Sequence, residues 1–401
     1  MECFHRPFPR LLSVPWLQNR PQRGIVEENA VPAGPEETRE TVRQSGMKDL
    51  TVLEAELAAA LADIRPGDKA EEEKALRHWD AVAKPLHGLG QLEGVVARMA
   101  AVAPLRREYR KCVAAFCADN GVVAEGVTQT DSSVTAVVAK NMLTGDSSVC
   151  CMGRVTGADV IPVDAGMLVE VPEMRTIKVA RGTRNLAHEP AMTRQEALSV
   201  LLGGMEIARE FQEEGYTLMA AGEMGIGNTT TTSAVAAALL GRPAVEMTGK
   251  GAGLSNEGLQ RKIAVIDKAI ALHQPDPADP VDVLSKVGGF DIAAMTGFYL
   301  GCARYRVPAI MDGYISTVAA LVAVRLCPAA RDALIPSHLS AEPGAGYVME
   351  ALGLPPLLRL GMALGEGTGA VSAMPLIDMA LRVYFDMPSF DGIGIEAYKP
   401  L

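Results

Sequence analysis

Aromatic residues make up only 4% of the 401-residue chain, too few to build the stacking platforms of a single-strand nucleic-acid binder. Positive charge is also short. Lys and Arg number 38 against 48 Asp and Glu, a net charge of −10, so there is no basic face for a phosphate backbone and no nucleic-acid partner is expected. The seven cysteines contain no C-x-x-C pair and read as reduced, buried thiols of a cytoplasmic protein. The six histidines are scattered, without an H-x-x-x-H pair, so no metal site is expected. No apolar run reaches the ~18 residues that span a bilayer. The stretch Leu11 to Leu17 is broken by Ser13 and Pro15, a poor leader core, so no membrane partner is expected. G-x-x-x-x-G-K-[ST], G-x-G-x-x-G and G-x-S-x-G are all missing. These absences remove the Walker-type loop, the dinucleotide fingerprint and the serine-hydrolase elbow.

What is present is Ala, Gly, Val, Leu and Met, with 48% hydrophobic residues and 39 glycines, the composition of an α/β enzyme with many tight turns. Residues 1–46 are proline-rich, mixed in charge and without periodicity. They read as a disordered extension, with Met47 as an alternative start. Helical spacing begins at Leu50 and stops at Pro66-Gly67. It resumes over Lys69 to Val82 and again over roughly Leu89 to Val102. Residues 47–105 are therefore assigned to a helical segment of a small domain, and 106–370 to an α/β domain. Residues 371–401 form a last helix and tail, with Val371 to Phe385 returning onto the N-terminal helices.

Within the α/β segment a unit recurs: a short apolar run, an acidic residue beside glycine, then a helix. The runs 112–118, 160–163, 218–221, 307–311 and 360–364 lead to Asp119, Asp164, Glu223, Asp312 and Glu366. Five such units predict a parallel, doubly wound (Rossmann-like) sheet with its carboxylates along the C-terminal edge, where open α/β sheets bind ligands. A single acid in such a place is more often a helix cap than a catalyst.

Three loops stand out. Gly222-Glu223-Met224-Gly225-Ile226-Gly227-Asn228-Thr229-Thr230 lies between an apolar run and a helix, the layout of an anion cradle. Its glycines allow close backbone approach, and Thr229 and Thr230 are placed to cap the helix. Gly249-Lys250-Gly251-Ala252-Gly253-Leu254-Ser255 adds a cation and a hydroxyl in a flexible loop, although Lys250 reads equally well as a solvated surface lysine. Gly365-Glu366-Gly367-Thr368-Gly369 presents one carboxylate between glycines. The residues by themselves describe an enzyme that handles a small phosphorylated metabolite with carboxylates as acid or base.

Taken in order, a longer series of segments resembles the nicotinate-nucleotide–dimethylbenzimidazole phosphoribosyltransferase family. The series is Lys84-Pro85 with Leu89-Gly90-Gln91-Leu92-Glu93, Ala118 to Val122, Glu125 to Thr128, Val163 to Gly166, the loop from Gly222, Gly251 to Ser255, Gly289 to Met295, Met311 to Ser316, Ser337-His338, and Leu364 to Ala370. It runs from about residue 48 to 385. The resemblance implies a homodimer whose large domain is a parallel sheet with helices on both faces. It also implies transfer of phosphoribose from nicotinate mononucleotide to 5,6-dimethylbenzimidazole without a cofactor. Carried over residue by residue, it makes Glu366 the carboxylate facing the base N–H and Glu223 the acid near the ribose, with the two roles exchangeable on sequence alone. It puts Gly225, Gly227 and Asn228 at the nucleotide; Thr229, Lys250 and Gly253 are expected with them at the phosphate, and Asp119, Thr128, Met224 and Leu364 at the base pocket. The chain departs from the family pattern at Asp119-Asn120-Gly121, often Asp-His-Gly, and at Thr128-Gln129-Thr130-Asp131, often Ser then Tyr-Pro. These departures bear on which base is preferred. A nucleotide hydrolase and a non-catalytic binding protein are the rival readings.

Overall fold

The computed structural model describes residues 48–398. The expected disorder of 1–46 lies outside the described residues. Three helices come first: α1 (Leu50–Ala62), α2 (Lys69–Ala81) and α3 (Gln91–Val102). The first two start on aspartate caps, Asp49 and Asp68, whose side chains accept first-turn N–H groups. Then follow β1 (Lys111–Ala118), α4 (Ser133–Thr144), α5 (Ser148–Thr156), β2 (Ala158–Gly166), β3 (Arg175–Thr176), α6 (Arg194–Glu213) and β4 (Leu218–Met224). After β4 come α7 (Asn228–Leu240), α8 (Ala244–Met247), α9 (Asn256–His273), α10 (Pro280–Val287) and α11 (Phe290–Arg304). The chain ends with β5 (Ala309–Ile310), α12 (Tyr314–Leu326), β6 (Leu334–Ile335), α13 (Ala345–Leu352) and α14 (Thr368–Asp386).

The strands form one parallel sheet in the order β3-β2-β1-β4-β5-β6. The order reverses between β1 and β4, the switch point where a crevice opens beyond the strand ends. Every residue of β1 is buried, as a central parallel strand covered on both faces must be. Its side chains alternate between two cores. Cys112, Ala114 and Phe116 pack with α1, α6, α11 and α12. Val113 and Ala115 pack with Trp79 of α2, Val96 and Met99 of α3 and Val371, Met374 and Ile377 of α14. Tyr384 of α14 meets His78 and Trp79 of α2 ring to ring, so α14 packs on α2 as well as on the sheet.

Helices α6 and α11 approach backbone to backbone. A Cβ at Gly204 would strike the Ala294 carbonyl oxygen, and one at Gly297 the Leu201 carbonyl oxygen. Only glycine fits at such a crossing. No helix among the described residues is long and apolar enough to cross a membrane.

Two expectations need correcting. The run 360–364 is not a strand: Leu360 and Leu364 are 59% and 53% exposed. The strand beside β5 is instead the two-residue β6, which delivers Ser337 and His338 to the edge, and with the equally short β3 it brings the sheet to six strands. And no helix follows Asp164, which lies inside β2. Its carboxylate accepts from the Gly166 and Met167 N–H groups at 3.0 and 2.8 Å and pairs with Lys178 at 2.6 Å, turning the chain toward β3.

Candidate active site

Strand β4 carries Glu223 as its penultimate residue, opposite Phe116 of β1 in the register. The strand ends at Met224, and the Gly225–Gly227 turn feeds α7. Gly227, at φ +92°, is the N-cap residue and provides no side-chain cap. The expected capping by Thr229 and Thr230 is therefore corrected: both lie inside the helix, because the left-handed glycine starts it ahead of them. The Thr229 hydroxyl instead accepts from Lys262 Nζ at 2.8 Å, and the Thr230 hydroxyl is buried without a hydrogen-bond partner.

A cavity of about 220 Å³ opens here. Its walls include Glu223, Met224, Gly225, Asn228, Thr229, Gly251, Asp312, His338 and Leu364. Segments far apart in the chain thus meet where the sheet order reverses. A larger cavity, about 620 Å³, lies between α1 and α6 and shares no residue with the strand ends.

Glu223 is buried, and burial foremost, with the nearby Asp291, Asp312 and Glu366 carboxylates, pushes its carboxyl up to about 8. Asn228 Nδ2 donates to Glu223 Oε2 and also to Asp291 Oδ2, the latter at 3.0 Å. Asp291 is fully buried and raised to about 6, again mainly by burial.

The loop before α14 holds Glu366 at φ +61°, between Gly365 at +85° and Gly367 at +96°. A left-handed non-glycine residue costs about 1–2 kcal/mol. The loop packs so closely on β4 that a Cβ at Gly222 would strike the Glu366 carbonyl. Glu366 Oε2 accepts from the Val149 N–H at the start of α5, 3.1 Å away. Beneath the loop, Asp312 accepts from the Gly367, Gly369 and Ala370 N–H groups at 3.1, 2.7 and 3.0 Å. His338 Nε2 lies 4.0 Å from the same carboxylate, and His338 Nδ1 is buried without a hydrogen-bond partner.

The structure thus gathers Glu223, Met224, Gly225, Asn228, Thr229 and Leu364 on one cavity, with Glu366 beside it. Gly227 sits behind them as the helix cap. The remaining expected site residues lie elsewhere. Asp119 lines a neighbouring cavity of about 530 Å³ with Asn120, Arg181 and Arg184, and its carboxylate accepts from Leu168 N–H at 2.8 Å. Burial holds the Asp119 carboxyl above its usual range. Thr128 donates to the Thr130 carbonyl at 2.8 Å. Lys250 and Gly253 are exposed, although Gly251 and Ala252 between them reach the cavity; the Gly253 carbonyl is held by Gln129 Nε2.

The structure buries a lysine that no motif in the sequence singles out. Lys262 has no exposed surface, bonds Thr229 and the Gly249 carbonyl at 2.8 and 3.2 Å, and burial lowers its ammonium to about 8. A signal was there: Gly258, Lys262, Val265, Ile266 and Ala269 share the buried stripe of α9.

A crevice at a switch point, with buried carboxylates on one side and a helix start backed by a lysine on the other, suits a sugar phosphate. A family model described as Phosphoribosyltransferase matches residues 64–395. Curated relatives narrow this. The nicotinate-nucleotide–dimethylbenzimidazole phosphoribosyltransferase of Ruminiclostridium cellulolyticum is 46% identical over 336 residues, 82% of this chain and 95% of that protein. Its counterpart in Clostridium acetobutylicum is 45% identical over 332 residues, 82% and 94%. The crystal structure of the enzyme of that name from Thermus thermophilus superposes with a TM-score of 0.77 at 41% identity, covering 82% of this chain and 99% of that one. The chain belongs to the nicotinate-nucleotide–dimethylbenzimidazole phosphoribosyltransferase family.

Proposed function

We propose that this protein transfers the phosphoribosyl group of nicotinate mononucleotide to 5,6-dimethylbenzimidazole or a related base, releasing nicotinate and forming α-ribazole 5′-phosphate for the lower ligand of cobamides. The observation that carries the reading is Glu223, buried in a cavity at the switch point of a chain that matches the family over most of its length.

The chemistry matches the residues. The leaving nicotinate is a ring-quaternised pyridinium and departs with the glycosidic electron pair, so it needs no acid. The attacking base nitrogen forms the new bond to the anomeric carbon from the opposite face, and the proton on its partner nitrogen must leave. Glu366 takes that proton. One of its oxygens is fixed by Val149 N–H, which leaves the other for the incoming base, whose ring would lie against Met224 and Leu364 in the cavity. General-base help of this kind contributes ~10²–10⁴-fold.

Glu223 holds ribose hydroxyls and stabilises positive charge at the anomeric carbon, which requires its anion. A carboxyl raised to about 8 is neutral in the empty enzyme at pH 7. The pyridinium charge of the substrate favours the anion, so ionisation of Glu223 follows substrate entry. Lys262, the Thr229 hydroxyl and the start of α7 receive the 5′-phosphate. The protein acts as a cytoplasmic homodimer, and sedimentation at twice the chain mass is the expected result.

The test is a product assay with nicotinate mononucleotide and competing benzimidazoles and purines, read by mass. A ribotide of any added base is expected. Nicotinate released equally well without base would make the protein a hydrolase, and binding without turnover would make it a carrier.

A further inference from the structure

The transfer chemistry leaves Asp291 without a task, yet few residues are built in so tightly. It stands at the start of α11, fully buried. Its Oδ1 accepts from the Ile292 N–H at 2.9 Å and its Oδ2 from Asn228 Nδ2 at 3.0 Å. Two glycines make room for it. A Cβ at Gly225 would come within 2.9 Å of Oδ2, and one at Gly289 within 2.5 Å of Oδ1. The other hydrogen of Asn228 Nδ2 goes to Glu223. One carboxamide therefore spends both of its donors on two carboxylates, and no lysine or arginine among the described residues hydrogen bonds to either acid.

We propose that Asp291 is a positioning residue of the transfer reaction: through Asn228 it fixes one oxygen of Glu223, and through its charge it sets the proton occupancy of the other. Glu223 Oε2 is held by Asn228, while Oε1 faces the Gly365 loop, where a Cβ would collide with it. The oxygen that carries or gives up the proton is thus the one on the Glu366 side. Like charges across a shared hydrogen-bond donor cannot both ionise easily. Asp291, the more acidic of the two, ionises first and keeps Glu223 protonated until a cationic ribosyl group arrives. The other charged groups facing Glu223 are Asp312 from the β5 end and Glu366 from the α14 loop. Asp119 from the β1 end faces Asp291, and His338 offsets Asp312.

This rests on the role given above to Glu223, so the experiment reads the carboxyl both with and without turnover. Infrared difference titration of the substrate-free protein, with Glu223→Gln to assign the band, follows the Glu223 proton directly. The pH profile of kcat/KM follows the same group in transfer. Asp291→Asn is expected to lower the Glu223 midpoint by about one unit or more and to move the rising limb of the profile to lower pH by the same amount. Asn228→Ser, which removes a hydrogen bond to the anion while keeping Asp291, is expected to move both upward. The opposite signs matter, because a merely structural cluster loses activity or stability in both variants without moving either midpoint. If Asp291→Asn does not fold, Asp291→Ser retains an acceptor for Ile292 N–H and removes the same charge. Midpoints that stay put, or that move the same way in both variants, overturn the proposal. A moving infrared midpoint in a protein that makes no ribotide would uphold the coupling and sink the transfer reading.

Discussion

Helices α7 and α14 start alike and end up in opposite conditions. Each follows a glycine turn that carries a site glutamate nearby, each has a left-handed glycine as N-cap residue, and neither cap supplies a side chain. The start of α14 is already filled, because the Asp312 carboxylate collects three of its N–H groups. The start of α7 receives no carboxylate from the described residues on its own N–H groups. It has Lys262 bonded to its first-turn hydroxyl and a cavity in front of it. The same local motif serves once to anchor a loop and once to face an open cavity, and what separates them is a single aspartate supplied from the end of β5.

The largest effect expected is on the glutamates that these two starts carry. Glu366→Gln and Glu223→Gln should each reduce kcat/KM by ~10²–10⁴-fold with the fold intact by circular dichroism. Near-normal turnover in Glu366→Gln with a dead Glu223→Gln would exchange the two roles. Next comes emptying the filled start. Asp312→Ala strands buried N–H groups and should cost about 2–4 kcal/mol of stability in urea unfolding, and turnover should fall with the freed Glu366 loop. A variant as stable as the parent would show that the α14 start does not depend on Asp312.

The pH dependence of stability comes third. Glu223 sits at about 8 in the folded protein against an ordinary 4.5. Its protonation therefore adds stability that is complete below 4.5 and is lost as pH rises through 8. Asp291, about 6 against 3.8, acts with the same sign in a lower window. Lys262, about 8 against 10.5, acts oppositely, with stability returning as pH rises from 8 to 10.5. The substrate-free protein should thus lose about 1–5 kcal/mol between pH 5 and 8, and Glu223→Gln should flatten most of that slope. A parent profile already flat over this range would contradict the burial of the pair.

The smallest effects test the open start. Lys262→Met should raise KM for the mononucleotide roughly 10-fold while leaving stability unchanged or improved, since it removes a buried charge. Lys250→Ala should change KM by less than about 2-fold, as an exposed lysine would. The reverse ranking would return the phosphate to the glycine loop at 249–253.

Much of this architecture is legible in the chain itself. The apolar runs ending in Asp119, Asp164, Glu223 and Asp312 lie on the four inner strands, because parallel strands covered on both faces leave largely continuous hydrophobic stretches in sequence. The two-residue strands β3 and β6 leave no such trace, and the exposed run at 360–364 imitates one. Glu366 is legible because glycine on both sides of an acid is costly unless that acid must be placed, and Glu223 because it ends an apolar run at the head of a glycine-rich loop. Asp291 leaves no such mark, and Lys262 only its place on the apolar stripe of α9. A lysine on a long helix and an aspartate in a first helical turn are both commonplace, and what sets these two apart is burial, a tertiary property. The threonines after Gly227 looked like caps because threonine often is one, but the left-handed glycine had already taken that position.

The glycine seam between α6 and α11 has a bearing on all of this. Gly297 lies six residues beyond Asp291 on the same helix, about 9 Å along its axis. A methyl group added there would collide with the Leu201 carbonyl, and relieving the collision means sliding α11 off its neighbour and taking Asp291 with it. The placement of the carboxylates proposed to take part in transfer is thus indexed against a contact that contains no ionisable group at all. A mutational survey scored on product would mark Gly204 and Gly297 as hits, even though neither residue sees the cavity.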